Sequence, residues 1–597
     1  MAYETIAKPD AASLAVRPNL ADYEAQRAAF SWQALAQELD GLPDSGPSTS
    51  SGQRPSTGSG RGLNIAYEAV DRHLKTARRD QAAILWEGKG GERESLSFAD
   101  VARLSNKWAN CLRALGVQKG DRVFFFLDRI PELYAAVFGT LKVGAVIGPL
   151  FSAFGPAAVR DRLADAGAVL LLTSPDLWRR VEGARADLPD LRHVVHVQHG
   201  RRSAASAGIL SWDELMDAAA DEAAIEPTGL EDPAIMHYTS GTTGKPKGAV
   251  HVHQAVWGHY ATGKYVLDLH PDDVYWCTAD PGWVTGTSYG MFAPFTNGVT
   301  SVIYEGGFAA GKWYELVQRY KVSVWYTAPT AIRLLMKAGD AIPKRYDLSS
   351  LRYTLSVGEP LNPEAVVWSE AALGLPFHDN WWQTETGSIM IANYAALPVK
   401  PGSMGRPMLG IEAAIIDAAG EELPSGEEGD LALRPGWPSM FRTYWRNQAM
   451  YESRFRNGWY VTGDRARRDA EGYFWFIGRA DDVINTAGHL VGPFEVESAL
   501  LEHPAVAEAG VIGKPDPVAM EIVKAFVALK DGHDPSEALR RQLIGFAREK
   551  LGSGVAPREI DFLPSLPKTR SGKIMRRLLK ARELGLPEGD ISTLEED

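Results

Sequence analysis

Along residues 63–230, short apolar runs alternate with longer stretches in which apolar positions recur every three or four residues. An unbroken apolar run reads as a buried strand, and the three-to-four spacing as a helix with one face turned inward. The pattern predicts strands over 83–86, 122–127, 145–150 and 169–173, and helices over 98–115, 131–143 and 156–166. Strand and helix in strict alternation give a doubly wound α/β unit around a parallel sheet. The alternation returns over 232–374 and predicts a second such unit. Residues 403–476 break the pattern with short strands between turns, over 412–416, 429–433, 458–462 and 472–476, which predicts a small β-rich subdomain. Beyond Asp481, a helix over 493–502, strands over 506–512 and 521–529, and a helix over 535–550 predict a compact α+β piece.

The expected fold class is therefore α/β, with a large N-terminal domain over 61–480, built of two doubly wound α/β subdomains plus the β-rich one, and an α+β C-terminal domain over 481–597. A chain of 597 residues exceeds what one core supports, in keeping with several units. Residues 1–40 show partial helical spacing at Leu20, Tyr23, Phe30 and Ala34, interrupted by Arg27, and are expected to pack on the main body as a helical extension. Residues 41–60 are mostly Gly, Ser, Pro and Thr; too little apolar surface is available there to offset ordering entropy, which predicts a flexible linker.

Between an apolar run at 233–238 and an alternating one at 249–253 stands Thr239-Ser240-Gly241-Thr242-Thr243-Gly244-Lys245-Pro246-Lys247-Gly248. Strand, loop, strand is the simplest reading. Its glycines let backbone approach an anion, its hydroxyls and several N–H groups donate to phosphate oxygens, and two lysines add charge. A Walker loop is excluded, because Thr239 occupies the glycine position and Pro246 follows Lys245. From the string alone, a phosphate cradle and a Gly/Thr-rich surface turn both remain open.

Composition narrows the classes. With 63 basic and 75 acidic residues the net charge is −12, which speaks against nonspecific binding to nucleic acid or anionic membrane. The two cysteines, Cys111 and Cys277, supply neither a disulfide framework nor a cysteine-based zinc site. The first residues lack an apolar core, so no signal peptide is expected and a cytoplasmic location fits. The most membrane-like stretch, 134–151, is broken by Lys142, Gly144, Gly148 and Pro149 and reads as a buried helix followed by a buried strand.

Six motifs stand in order. They are the Thr239 to Gly248 loop, Ser356-Val357-Gly358-Glu359-Pro360, Trp381-Trp382-Gln383-Thr384-Glu385-Thr386-Gly387, Tyr460-Val461-Thr462-Gly463-Asp464, Gly478-Arg479-Ala480-Asp481-Asp482 and Pro567-Lys568-Thr569-Arg570-Ser571-Gly572-Lys573. In this the chain resembles the adenylate-forming superfamily of acyl-CoA synthetases, luciferases and peptide-synthetase adenylation domains, from about Leu63 to the C-terminus, and is most similar to the AMP-forming acetyl-CoA synthetases. The resemblance implies acetate:CoA ligase activity through an acetyl-adenylate, with ATP, Mg2+ and coenzyme A as its small molecules. The alternatives are a ligase for another short or branched acid, such as propionate, and a nucleotide-binding regulator whose catalysis has decayed.

It also implies roles, position by position. Thr239, Ser240, Gly241, Thr242, Thr243, Gly244 and Lys245 hold the β- and γ-phosphates; Gly358, Glu359, Pro360, Asp379, Asn380, Trp381, Trp382, Gln383 and Thr384 line the adenine and α-phosphate; Asp464 and Arg479 bind the ribose hydroxyls and phosphates. Glu385 matches a magnesium-binding acid. Lys573, carried on a mobile C-terminal domain that pivots at Asp481, contacts both the substrate carboxylate and the α-phosphate, and its exposure and essential charge make it a candidate for a lysine acetyltransferase and deacetylase. Trp382 closes a small acyl pocket completed by Val284, Thr285 and Val357, which leaves room for acetate. Ala487, Gly488 and Thr285 lie along the expected coenzyme A path, with Arg548, Arg179 and Arg180 as candidates for its phosphates; Leu501, His503 and Val506 match a second metal position. One departure stands out: Leu490 replaces the arginine that usually touches ATP phosphates, which predicts weaker ATP binding, slower adenylation, or compensation by His489 or another base.

Overall fold

The structure, a computed structural model, describes residues 3–8, 14–42, 62–206, 208–240, 246–486, 489–517, 519–569, 573–589, 591 and 594. From residue 43 onward the expected linker lies outside them.

Two mostly parallel sheets form the body. The first has eight strands in the spatial order Thr443–Tyr444, Pro246–Val252, Pro233–Ser240, Val146–Leu150, Arg122–Phe126, Leu170–Thr173, His193–His196 and Leu210–Ser211. Its middle is parallel, and the hairpin of Pro233–Ser240 with Pro246–Val252 adds an antiparallel edge. The second has seven, in the order Phe377–His378, Tyr353–Ser356, Val324–Thr327, Val274–Cys277, Thr300–Tyr304, Ala82–Glu87 and Arg93–Ser97, parallel except for the last pair.

The strand expected over 83–86 therefore joins the second sheet, with Ile84 beside Ser301, and not the unit in which its sequence position places it. Alternation along a chain reports that strands and helices follow one another. It does not report which sheet a strand enters.

Helix starts follow local rules. Ser97 and Asp100 form a reciprocal capping box at the head of Phe98–Ala114. Proline opens Pro131–Lys142, Pro156–Ala166 and Pro493–Leu501, where its missing N–H costs nothing. Lys142, the charge inside the apolar stretch, is fully buried and donates to Asp71 Oδ1 at 2.8 Å and Asn106 Oδ1 at 2.7 Å. The N-terminal extension packs on the body as expected: the short helices Tyr23–Ala29 and Trp32–Ala36 bury Tyr23 and Leu35, and Arg27 escapes the apolar stripe by donating to the Tyr23 hydroxyl at 2.7 Å.

A five-stranded antiparallel sheet of Ala413–Ile416, Glu428–Leu433, Phe455–Arg456, Trp459–Arg468 and Phe474–Arg479 follows. A further five-stranded sheet is built from Ile484–Thr486, His489–Val491, Val506–Asp516, Met520–Leu529 and Glu559–Phe562. The buried side chains gathered on one face of this last sheet all lie between Ile484 and Ile560, so residues past Asp481 hold a core of their own.

Candidate functional site

The hairpin pairs Thr239 with Lys247 and Ser240 with Pro246, which makes the two expected strands. Gly241, Thr242, Thr243, Gly244 and Lys245 lie outside the described residues. Lys247 extends to 5.9 Å from the ring centre of Tyr444. The Tyr444 hydroxyl donates to Glu385 Oε1 at 2.8 Å, so the hairpin and the magnesium-acid candidate meet across one phenol. Burial lowers the Lys247 pKa first, and the nearby guanidiniums of Arg454 and Arg479 lower it further against the pull of Glu385.

Val357 to Pro360 and Asp379 sit at the carboxyl ends of parallel strands, where open α/β sheets place ligands. Tyr353–Ser356 runs into Val357 and Gly358, whose φ of +95° suits glycine. Glu359 is held by Thr330 Oγ1 at 2.9 Å and by Arg333 Nη2 at 2.8 Å. On the neighbouring strand Asp379 is buried; its Oδ2 accepts the Leu361 N–H at 3.3 Å while Oδ1 has no partner, and burial pushes its pKa up to about 8. A buried orphan oxygen at this place suits a base edge. Asn380 is occupied structurally, accepting from the Tyr326 hydroxyl at 2.9 Å and donating to Ser356 O at 2.7 Å.

Asp464 ties three motifs together. Its Oδ2 accepts from Trp381 Nε1 at 3.0 Å and from Gln383 Nε2 at 2.9 Å, and Arg479 Nη1 lies 3.3 Å from Oδ1. Burial raises its pKa, and Arg479, Trp381, Lys573 and Gln383 oppose the rise. Thr384 begins the turn between Gln383 and Thr386 that aims Glu385 at Tyr444. Arg479 also reaches Asp481 at 3.5 Å, on the turn that leads into the C-terminal unit.

Lys573 stands in this cleft. Its surface remains open to solvent, yet protein surrounds it on enough sides that burial lowers its pKa; Arg479 and Arg576 lower it further, against Asp464 and Glu359. Its own turn is fixed by the Lys573 N–H donating to Thr569 Oγ1 at 3.1 Å and by Thr569 N–H donating to Lys573 O at 2.7 Å. The unit carrying it rests on the body through Asn362 Nδ2, which donates to Ser498 Oγ at 2.9 Å, and through Phe476 against Phe494 at 6.1 Å between ring centres.

Trp382 is half-buried and meets Tyr289 edge-on at 5.0 Å, within the same apolar cluster as Val357. Val284 and Thr285 open the short helix Val284–Thr287 and are also half-buried.

Of the coenzyme A candidates, Arg179 is exposed and paired with Asp176; Arg180 donates to Ser152 O and Phe154 O at 2.9 and 2.7 Å; Arg548 is exposed on the helix Glu537–Leu551. Ala487 and Gly488 lie outside the described residues.

At the second metal position proposed for Leu501, His503 and Val506, His503 Nδ1 accepts the Ala505 N–H at 3.2 Å and Nε2 lies 3.1 Å from the Gln542 side-chain amide. Arg454 and Tyr444 are site neighbours that no sequence pattern singled out. Arg454 looks like one more base in the run 454–456, and only the fold brings it to Glu385.

A cleft that gathers cations, a buried acid and an aromatic wall at the carboxyl ends of a parallel sheet, with a lysine delivered by a separate C-terminal unit, defines a nucleotide-using enzyme that activates an acid. The family described as AMP-binding enzyme matches residues 70–445, and that described as AMP-binding enzyme C-terminal domain matches residues 495–573. The chain belongs to the AMP-binding enzymes. It is 52% identical over 89% of its length to the acetyl-coenzyme A synthetase of Bacillus subtilis (strain 168), covering 93% of that protein. It is 43% identical, over 89% of its length and 84% of the relative's, to the acetyl-coenzyme A synthetase of Methanothrix thermoacetophila. Among solved structures, the anthranilate CoA ligase AuaEII in complex with anthranoyl-AMP superposes with a TM-score of 0.81 at 31% identity, covering 88% of this chain and 98% of that one. The Brucella canis acyl-CoA synthetase does so with a TM-score of 0.72 at 35% identity, covering 94% and 99%.

Proposed function

We propose that the chain is an AMP-forming acetate:CoA ligase. In the first step a carboxylate oxygen of acetate bonds to the α-phosphorus of ATP as the bond to the bridging oxygen breaks, giving acetyl-adenylate and pyrophosphate. In the second, the thiol of coenzyme A gives up its proton and attacks the acyl carbon, releasing AMP. Little covalent work falls to the protein, which must position reactants and offset charge.

The observation that carries this reading is the gathering of Lys573, Arg479, Asp464 and Glu359 around one cleft. An ammonium there offsets the repulsion between two anions that must meet. Asp464 accepts from the ribose hydroxyls, the orphaned oxygen of Asp379 faces the base, and Thr239, Ser240 and Lys247 begin and end the cradle for the phosphate tail. Among the described residues no three acidic, thiol or imidazole side chains converge on a metal position. A magnesium ion would thus take Glu385, whose carboxylate is a hard oxygen donor, and complete its shell from phosphate oxygens and water. When bound, magnesium supplies neutralisation of the phosphate charge.

Acetate follows from the indole of Trp382, propped by Tyr289, which occupies the volume a longer acyl chain needs; the identity to acetyl-coenzyme A synthetases supports the same substrate. Among the described residues no helix is long and apolar enough to cross a membrane, which accords with the cytoplasmic location we propose. A chain-length series from acetate to hexanoate, with ATP, magnesium and coenzyme A and with pyrophosphate release as readout, tests the assignment. The expected result is the highest kcat/KM for acetate, less for propionate and none for hexanoate, with Trp382→Gly moving the optimum to longer acids. A wild-type optimum beyond propionate would make the chain a different short-acid ligase, and an unchanged profile in Trp382→Gly would remove the indole from the pocket.

A further inference from the structure

Arg454 follows the helix Gln448–Glu452 and precedes the strand Trp459–Arg468. Its backbone is fixed on both sides, its N–H donating to Tyr451 O at 3.1 Å and its carbonyl accepting from Val461 N at 2.7 Å. A Cβ placed on Gly463 would lie 3.4 Å from Arg454 Nη1 and 3.6 Å from Arg479 Nη2. Two guanidiniums, one from a turn and one from the strand Phe474–Arg479, therefore face the same glycine, one residue before Asp464. Arg454 also lies near the Tyr444 hydroxyl, the phenol that contacts Glu385 and against whose ring Lys247 lies. Among the described residues neither Arg454 nor Lys247 forms a salt bridge with a carboxylate, whereas Arg479 is already committed to Asp464.

Three cations are thus held together with Glu385 as their shared neighbour, an arrangement that repels itself until an anion enters. An arginine with its fork unspent by any acid fits phosphate oxygens two at a time. We propose that Arg454 binds the β- and γ-phosphates of ATP, working with Lys247 on the fixed body while Arg479 and Lys573 serve the α-phosphate. This rests on the ATP-dependent ligase reading above and assigns the tail of that nucleotide.

The test compares ATP with AMP, which lacks the tail. Calorimetric titration of the wild type, Arg454→Gln and Arg454→Lys with each nucleotide in magnesium gives the two dissociation constants. The expected result is an ATP Kd raised at least tenfold in Arg454→Gln and partly recovered in Arg454→Lys, with the AMP Kd unchanged, and with thioester formation from supplied acetyl-adenylate at the wild-type rate. An unchanged ATP Kd overturns the proposal. So does an equal loss of ATP and AMP binding, which would mark Arg454 as a support for the fold; if Arg454→Gln does not fold, Arg454→Lys carries the same comparison. A wild type that binds neither nucleotide would sink the ligase reading itself and not Arg454 alone.

Discussion

A single ammonium decides whether a carboxylate can approach a phosphate. At about 4 Å two unit charges in a partly screened site repel by on the order of 4 kcal/mol, and a cation between them converts that barrier into attraction. We propose this place for Lys573, which has Asp464 and Glu359 balancing Arg479 and Arg576 around it. Replacing Lys573 by Ala is expected to abolish acetate-dependent pyrophosphate release while leaving the reaction of supplied acetyl-adenylate with coenzyme A within about threefold of wild type. Acetylating Lys573 removes the same charge and is expected to have the same consequence, which is the physical basis for proposing a lysine acetyltransferase and deacetylase as partners. Half-reaction assays check both, and equal damage to the two steps would refute the role. Arg454 belongs to the same scale: with Leu490 in place of a usual arginine, it returns a phosphate cation from a turn of the body whose backbone is hydrogen-bonded on both sides.

At the scale of elements, the lid that carries Lys573 touches the body, among the described residues, through few side-chain hydrogen bonds, chiefly Asn362 to Ser498 at 2.9 Å. So small a set suits a unit that must leave and return. The pivot we propose is Asp481, half-exposed on the turn after Phe474–Arg479. Asp481→Pro fixes φ there and restricts Ala480 before it. The expected outcome is adenylation near the wild-type rate and loss of at least tenfold in thioester formation from adenylate, measured separately; undiminished overall turnover would exclude a hinge. Helix heads were legible because their signals are local, as with Pro156 at the first position and the Ser97 to Asp100 box. Strand membership was not, since Ala82–Glu87 is assigned to its sheet by a partner more than two hundred residues away, and Trp459–Arg468 runs past its predicted end because Glu428–Leu433 pairs with it. The motif residues around Asp464 could be read from their order. Arg454 could not, because what distinguishes it from Arg456 is a neighbour on another strand.

The whole molecule is committed to near-neutral pH by imidazoles that folding keeps uncharged. His73, His253 and His259 are buried and their pKa values fall to about 3, and that of His251 to about 4, in each case first by desolvation. His237 and His378 are displaced the same way. Below about pH 6.5 the unfolded chain takes up protons at these positions and the folded one does not, so stability is full above that pH and is lost as pH falls, by about 1.4 kcal/mol per histidine per pH unit. Raised carboxylates act oppositely. Asp379, pushed up to about 8, binds its proton in the folded state and gains stability as pH falls below that value, offsetting about one histidine. The net direction is acid destabilisation, and a single imidazole can be isolated. His253 Nδ1 accepts the Ile65 N–H at 3.1 Å, a role the carbonyl of glutamine can take. In His253→Gln the loss of unfolding free energy between pH 7 and pH 5, from denaturant titrations at each pH, is expected to be smaller than in the wild type by about 2 kcal/mol. Identical losses in the two proteins would mean that His253 is protonated in the folded state at pH 5, against the burial that surrounds it.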